Sequence, residues 1–281
     1  MTKNPQNSVV STCIVTYNNE AKIGACVASI LDNVKLKSFT LYVVDNGSTD
    51  HTCSLLKERF SEDSRFVLLE TGENCGFGAG HNKVLPLIQS DYHCVINPDI
   101  LLKDDVVEKM VTYMNAHPDV VQLSPRICFP DGKDQILGKR YPNLLYLIAS
   151  HFRDKEDNHP NFLLRRYAML NKGFNAPFAI KNATGCFMIF RTDAFQKLGG
   201  FDDRYFMYFE DCDITREMNH LGKVLYFPSA VVYHAWERSS KSDDKLLLVH
   251  IMSMLKYYVK WYTGPLKRIL TKVLMHFDIR P

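Results

Sequence analysis

Three apolar, β-branched runs in the first part of the chain each stop abruptly in a polar cluster that carries a carboxylate. Residues 9–16 (VVSTCIVT) run into Tyr17-Asn18-Asn19-Glu20, and residues 41–44 (LYVV) into Asp45-Asn46-Gly47-Ser48-Thr49-Asp50. Residues 94–96 (CVI) run into Asn97-Pro98-Asp99. Helical spacing fills the intervals. Ile23, Val27, Ile30 and Leu31 follow the first run, Leu55 and Leu56 follow a cap at Asp50, and a helix over 105–116 follows a cap at Asp104. A further strand lies at 65–69 (RFVLL). Strand–helix alternation of this kind specifies a mostly parallel sheet with right-handed crossovers. Strand ends in such a sheet share one edge, and open α/β sheets bind ligands there. Glu20, Asp45 and Asp99 therefore converge. The arrangement fits a nucleotide: Asp45 accepts from a base or ribose donor, and Asp99 holds a divalent cation against phosphates.

Glycines at Gly72, Gly76, Gly78 and Gly80 precede Asn82 and a helix expected from Lys83. The segment ENCGFGAGHN lacks the dinucleotide-binding spacing and comes late in the strand series, so that fingerprint is rejected. Close backbone approach to a ligand remains open, with Asn82 on the same site. From Val120 the pattern changes. A strand over 120–123 leads into an irregular stretch, 129–181, with four prolines and with Lys139, Arg140, Arg165 and Arg166. It reads equally as a second-substrate site or as a surface excursion. Residues 183–191 (ATGCFMIFR) form a strand with a small-residue entry, and Thr192 or Asp193 caps a short helix to Leu198.

YFMYFEDCD at 205–213 puts aromatic walls beside Glu210, Asp211 and Asp213. Carboxylates this close repel one another unless they cap a helix or serve a site. Asp213 is expected to begin a helix over 214–220, with Glu210 and Asp211 ahead of it. That setting suits a carboxylate base with a raised pKa. Short strands over 224–227 and 230–233 lead to His234, a candidate second metal ligand at a strand end.

Composition narrows the classes. A net charge of +3 demands no nucleic-acid partner, and eight cysteines without a CxxC pair read as reduced thiols of a cytosolic protein. The polar N-terminus is no signal peptide, and no apolar run reaches a membrane span. The last part, 241–281, is a strongly apolar helix interleaved with Lys256, Lys260, Lys267, Arg268 and Lys272. Basic charge with Trp261 and Tyr262 describes a helix lying among lipid headgroups; a core-packing helix or a homodimer face is the rival.

Taken together, TYN after the first strand, VVDNGSTD, GFGAGHN, NPD, ATGCFMIFR, YFMYFEDCD and a late YH resemble the inverting family-two glycosyltransferases. Within that family the chain is most similar to bacterial rhamnosyltransferases of O-antigen and cell-surface polysaccharide synthesis. The resemblance spans roughly 9–240. It implies an α/β GT-A fold: a mostly parallel central sheet flanked by helices, with a Rossmann-like nucleotide-sugar-binding half (1–120) and an acceptor-binding, catalytic half (121–240). A C-terminal helical extension (241–281) follows. It further implies a nucleotide-diphospho-sugar donor, dTDP-rhamnose foremost, a lipid-linked saccharide acceptor, and a divalent cation, magnesium or manganese. Donor contacts map to Thr16, Tyr17, Asn18, Glu20, Asp45, Gly76, Phe77, Asn82, Asn97 and Asp99. Asp211 aligns with the catalytic base, flanked by Glu210. Where the family reads Asp-X-Asp this chain has Asn97, so Asp99 is the remaining carboxylate ligand and His234 gains weight as its partner. The implied location is the cytoplasmic face of the cell membrane. The rivals are a UDP-sugar enzyme (galactose or N-acetylglucosamine) on the same fold and a degenerate, non-catalytic nucleotide binder. A nucleotidyltransferase would need a glycine-rich basic loop after the first strand, which Tyr17-Asn18-Asn19-Glu20 is not.

Overall fold

The computed structural model describes residues 4–143, 145–146, 160–235 and 244–263. Four parallel strands come first: β1 (Val9–Thr16), β2 (Ser38–Asp45), β3 (Phe66–Glu70) and β4 (Tyr92–Ile96). Then come β5 (Ile100–Leu101), β6 (Val120–Cys128), β7 (Phe178–Ala179), β8 (Phe187–Arg191) and β9 (Lys223–His234). They form one sheet in the order β3-β2-β1-β4-β8-β6-β9-β5, with β7 also on β9. Strand β8 runs antiparallel to both β4 and β6, whereas β6 and β9 are parallel. The sheet is thus mixed but mostly parallel, as expected for a GT-A fold.

Alternation along each strand feeds two apolar layers. Ile14, Leu41, Val43, Cys94, Ile96 and Ile189 face one layer, completed by α1 (Ile23–Asn33), α2 (Thr52–Phe60) and α4 (Val106–Ala116). Cys13, Val15, Val44, Val95, Met188 and Phe190 face the other, completed by α6 (Thr192–Leu198) and α7 (Glu210–Leu221). Strands covered on both faces read as continuous hydrophobic runs, which is why the sequence announces them so clearly.

Several boundaries differ from the sequence reading. The glycine segment is itself a helix, α3 (Phe77–Asn82), and Lys83 ends it instead of starting one. A Cβ on Gly80 would lie 2.8 Å from Val15 and one on Gly78 2.8 Å from Phe201. Glycine is therefore kept despite costing about 1 kcal/mol in helix propensity, because the helix rides directly on its neighbours. Asp105, not Asp104, caps α4, accepting from the Glu108 N–H. The strand expected from 183 starts at Phe187, and Arg191 precedes α6 without a side-chain cap. The two short strands after 223 are one, β9, whose pairing slips beside Pro228, a residue with no N–H to give the ladder. The helix expected from 214 starts at Glu210, four residues earlier. In the 129–181 stretch, α5 (Phe162–Tyr167) forms, and Lys139 is buried with its ammonium 4.6 Å from the centre of the Tyr226 ring. Burial pushes Lys139 down to about 8.

The C-terminal helix α8 (Asp244–Tyr262) is present, and its basic residues correct the headgroup picture. Lys256 Nζ donates to the Arg204 carbonyl (2.8 Å) and Lys260 Nζ to Asp213 (2.6 Å), while Trp261 Nε1 donates to Asp213 (2.7 Å). All three turn inward, because a carbonyl and a buried carboxylate need them more than water does. The exposed large apolar residues of α8 are Leu248, Ile251, Leu255 and Tyr262. Lys267, Arg268 and Lys272 lie outside the described residues. No helix among the described residues is long and apolar enough to cross a membrane. The eight cysteines are free thiols, five of them buried.

Candidate active site

The parallel strands deliver their ends to one edge. Thr16 pairs with Asp45 across β1 and β2, and Ile96 pairs with Phe187 across β4 and β8. Because β8 is antiparallel, its start, with Gly185 and Cys186 before it, reaches the edge where β4 ends. The Asn97 N–H donates to the Cys186 carbonyl (2.9 Å).

On the donor side, Asp45 is 2% exposed. Its Oδ2 accepts from the Gly47 and Ser48 N–H groups (3.1 and 2.9 Å). Its Oδ1 is buried with no hydrogen-bond partner, as is Thr16 Oγ1. A buried carboxylate oxygen left open is costly in isolation and fits a donor from a ligand. Asn18, at φ 53°, accepts from the Thr49 N–H (2.8 Å), and Glu20 accepts from the His51 N–H (2.8 Å). These two tie the loop after β1 to the loop after β2; they build the wall and leave Tyr17, 45% exposed, as its open aromatic face. Asn46, to which the sequence reading gave no role, donates to the Gly76 carbonyl (2.9 Å) and accepts from the Cys75 thiol (3.2 Å). Gly76 sits at φ 92°, with the Phe206 carbonyl 2.2 Å from where a Cβ would be. Glycine is required there, and the Phe77 N–H donates to that same carbonyl (2.9 Å). Asn82 goes elsewhere. Its amide accepts from the Phe201 N–H and donates to the Phe201 carbonyl and Asp203 (2.9, 2.8 and 2.9 Å), so it closes the turn after α6.

Across the edge, the pairing of Ile100 with His234 brings Asp99 beside the histidine. Asp99 Oδ1 and His234 Nε2 are 3.3 Å apart, both largely buried. Gln135 settles the imidazole. Its Nε2 donates to the His234 carbonyl (2.6 Å), which points its Oε1 at His234 Nδ1 (3.0 Å). Nδ1 therefore carries a proton, and Nε2 faces Asp99. This is how proteins orient a metal-binding histidine. One carboxylate and one imidazole suit a divalent cation that takes its other ligands from phosphate and water. Among the described residues no cluster of three or more His, Cys, Asp or Glu completes a protein-only metal cage. Burial raises the Asp99 carboxyl, but a protonated His234 outweighs it through its hydrogen bond and charge and holds the group below its ordinary value. Gln135 was missed because nothing local marks it; it lies far upstream of the histidine it orients.

Asp211 is half-buried in the first turn of α7. Its Oδ2 accepts from the Gly185 N–H (2.9 Å) and its Oδ1 from the Cys212 N–H (2.7 Å). A Cβ on Gly185 would lie 3.2 Å from the Asp211 Cβ and 3.6 Å from the Phe77 ring, so this glycine admits both. Glu210 is 6% exposed and its Oε2 has no partner. Burial and the neighbouring Asp211 charge push the Glu210 carboxyl well above the usual range. Burial also raises Asp211, opposed by its two N–H donors. Asp211 has two backbone N–H donors from other residues and Glu210 Oε2 has none, so ionisation is favoured at Asp211, at the helix N-terminus, over Glu210. Burial, with the charges of Asp99 and Asp211, pushes the Cys186 thiol up. Asp213 is not part of this group: it faces α8.

Sheet, edge and gathered acidic groups are those of a GT-A glycosyltransferase. Residues 11–199 match the family described as Glycosyl transferase family 2, and the chain belongs to that family. It is 25% identical over 280 residues to the N-acetylglucosaminyl-diphospho-decaprenol L-rhamnosyltransferase of Mycobacterium tuberculosis, covering 92% of this chain and 88% of that one. It is 22% identical over 289 residues to the rhamnosyltransferase WbbL of Escherichia coli, covering 94% and 95%. Among solved structures, the mannosyltransferase PcManGT from Pyrobaculum calidifontis, in complex with GDP-Man and Mn2+, matches with a TM-score of 0.64 at 19% identity. That match covers 98% of this chain and 72% of the other, and shows the shared fold.

Proposed function

We propose that this glycosyltransferase moves rhamnose from dTDP-rhamnose onto a hydroxyl of a polyprenyl-diphosphate-linked saccharide, in cell-surface polysaccharide synthesis at the cytoplasmic face of the membrane. The observation that carries the chemistry is the inequality between Glu210 and Asp211: two backbone N–H groups hold the Asp211 carboxylate, whereas Glu210 Oε2 is buried without a partner. A single general base is what an inverting displacement requires. Asp211 takes the proton of the acceptor hydroxyl. The freed oxygen attacks the anomeric carbon as the bond to the nucleoside diphosphate breaks on the opposite face. A retaining double displacement would need a carboxylate nucleophile as well. Asp99 and His234 would hold a magnesium or manganese ion, whose chemistry when bound is to neutralise charge on the leaving diphosphate. Residues 1–120 bind the donor: Asp45 and Tyr17 take the nucleoside, and Thr16, Asn97 and Phe77 line its approach. Residues 121–240 receive the acceptor. The rhamnose assignment is supported by the two rhamnosyltransferases, which align along nearly all of this chain. Membrane attachment is supported by the apolar outward stripe of α8, Leu248, Ile251, Leu255 and Tyr262, in place of its inward-facing lysines.

Calorimetric titration of the purified chain with dTDP, UDP and GDP, each with and without manganese, tests the donor. Metal-dependent preference for dTDP is expected. Preference for UDP would overturn rhamnose and leave the mechanism; binding of none would favour a non-catalytic protein.

A further inference from the structure

We propose that helix α8 is a positioning clamp for the catalytic carboxylate, with Lys260 and Ser253 as its principal positioning residues. The inference rests on the reading of Asp211 as the base. Immediately before Glu210 and Asp211, two bulky residues in succession adopt the left-handed conformation: Tyr208 at φ 71° and Phe209 at φ 67°. Such residues persist there only where the surroundings over-determine them. Helix α8 supplies that constraint from one face, at successive turns. His250 stacks on Tyr208, ring centres 4.8 Å apart, and meets Phe209 edge-on at 5.4 Å. Ser253 Oγ donates to the Met207 carbonyl (2.8 Å). Tyr257, fully buried, packs on Phe209 at 5.5 Å. Lys260 Nζ donates to Asp213 (2.6 Å) and reaches Asp202 and Glu217 (3.0 Å each). Trp261 Nε1 holds the other oxygen of Asp213 (2.7 Å).

The consequence falls on Asp211. The strained pair sets where α7 begins, and Asp213 fixes how α7 is turned about its axis. Asp211 lies between them and must meet the Gly185 N–H at 2.9 Å against a backbone with no room for error. If the clamp loosens, the base leaves its donor and the line of attack. The nucleoside-side residues Asp45, Asn18 and Glu20 are held by residues 47–51 and not by α8. The predicted signature is therefore a loss in kcat with the donor affinity intact, since misplacing a catalytic group by about 1 Å can slow a reaction on the order of 100-fold.

The test compares Lys260→Met, Lys260→Arg, Ser253→Ala and Asp211→Asn in the full chain. Donor affinity is read by calorimetry, turnover as dTDP release with the donor and acceptor of the proposed reaction, and exchange of the Gly185 amide by hydrogen–deuterium exchange. Lys260→Met should lower kcat about 10- to 100-fold, leave the dTDP affinity within about twofold, and speed Gly185 exchange. Lys260→Arg should restore most of the rate, and Ser253→Ala, a smaller change suited to a chain that must still fold, should lower kcat several-fold. If Lys260→Met and Ser253→Ala keep the parent kcat and Gly185 exchange while Asp211→Asn is inactive, the clamp is wrong and the base stands. If Asp211→Asn itself turns over, the base reading has failed, whatever the lysine variants do.

Discussion

The donor side and the catalytic side of the edge are built differently. The donor wall comes from two adjacent parallel strands whose end loops, 16–20 and 45–52, bond to each other, Asn18 to Thr49 and Glu20 to His51, while Asp45 holds its own loop at Gly47 and Ser48. The catalytic side is assembled from pieces that are distant in the chain. Asp211 depends on Gly185, Asp99 on His234, and His234 on Gln135. A wall stitched by neighbouring loops tolerates change at any one bond. A site gathered from remote segments fails when one segment moves. Removal of single groups should therefore hurt chemistry on the catalytic side far more than binding on the donor side.

The largest break in that contrast should come from Asp211→Asn. Transfer should fall about 1,000-fold or more, with the dTDP affinity preserved, because general-base catalysis contributes on the order of 100- to 10,000-fold. Comparable losses in affinity and rate would mean the two sides are not separable. Next is Gly76→Ala, where the two sides meet. Its Cβ would collide with the Phe206 carbonyl at a positive φ, and thermal unfolding should register a loss of about 3 kcal/mol. Gln135→Ala sharpens the cation site: manganese affinity in the presence of dTDP should drop about 10- to 100-fold, since the imidazole loses its orientation. An unchanged affinity would remove His234 from the ligand set. The smallest effect belongs to Glu210→Gln. Folding raises the Glu210 pKa, so its contribution is complete at low pH and is lost as pH rises toward the raised value. The variant should melt roughly 2–4 °C above the parent at pH 8, about 1 kcal/mol, with the gap closing near pH 4. For Asp211, raised by burial, kcat/KM should already decline on acidification above the ordinary carboxylate range.

The same division decides what could be read without coordinates. Strands buried on both faces, and polar clusters at their ends, are local signals; β1, β2, β4 and the shared edge at which they end followed from them. Glycines were ambiguous. Gly78 and Gly80 admit Val15 and Phe201 rather than a ligand, and only the packing distinguishes these uses. The start of α7 was misplaced because Tyr208 and Phe209 hold left-handed conformations that no aromatic residue signals. Lys256, Lys260 and Trp261 read as a headgroup-facing set, since nothing near them in sequence shows that Arg204 and Asp213 await them. Gln135 carries no local mark at all. Lys256, Lys260, Trp261 and Gln135 were missed because their partners are distant in sequence.

The central claim is that a single ionised carboxylate, Asp211, drives one displacement. Its most direct test is the anomeric configuration of the transferred sugar, read by NMR on the product against the donor. Inversion is predicted. Retention would demand a carboxylate nucleophile and would contradict Asp211 as a lone base.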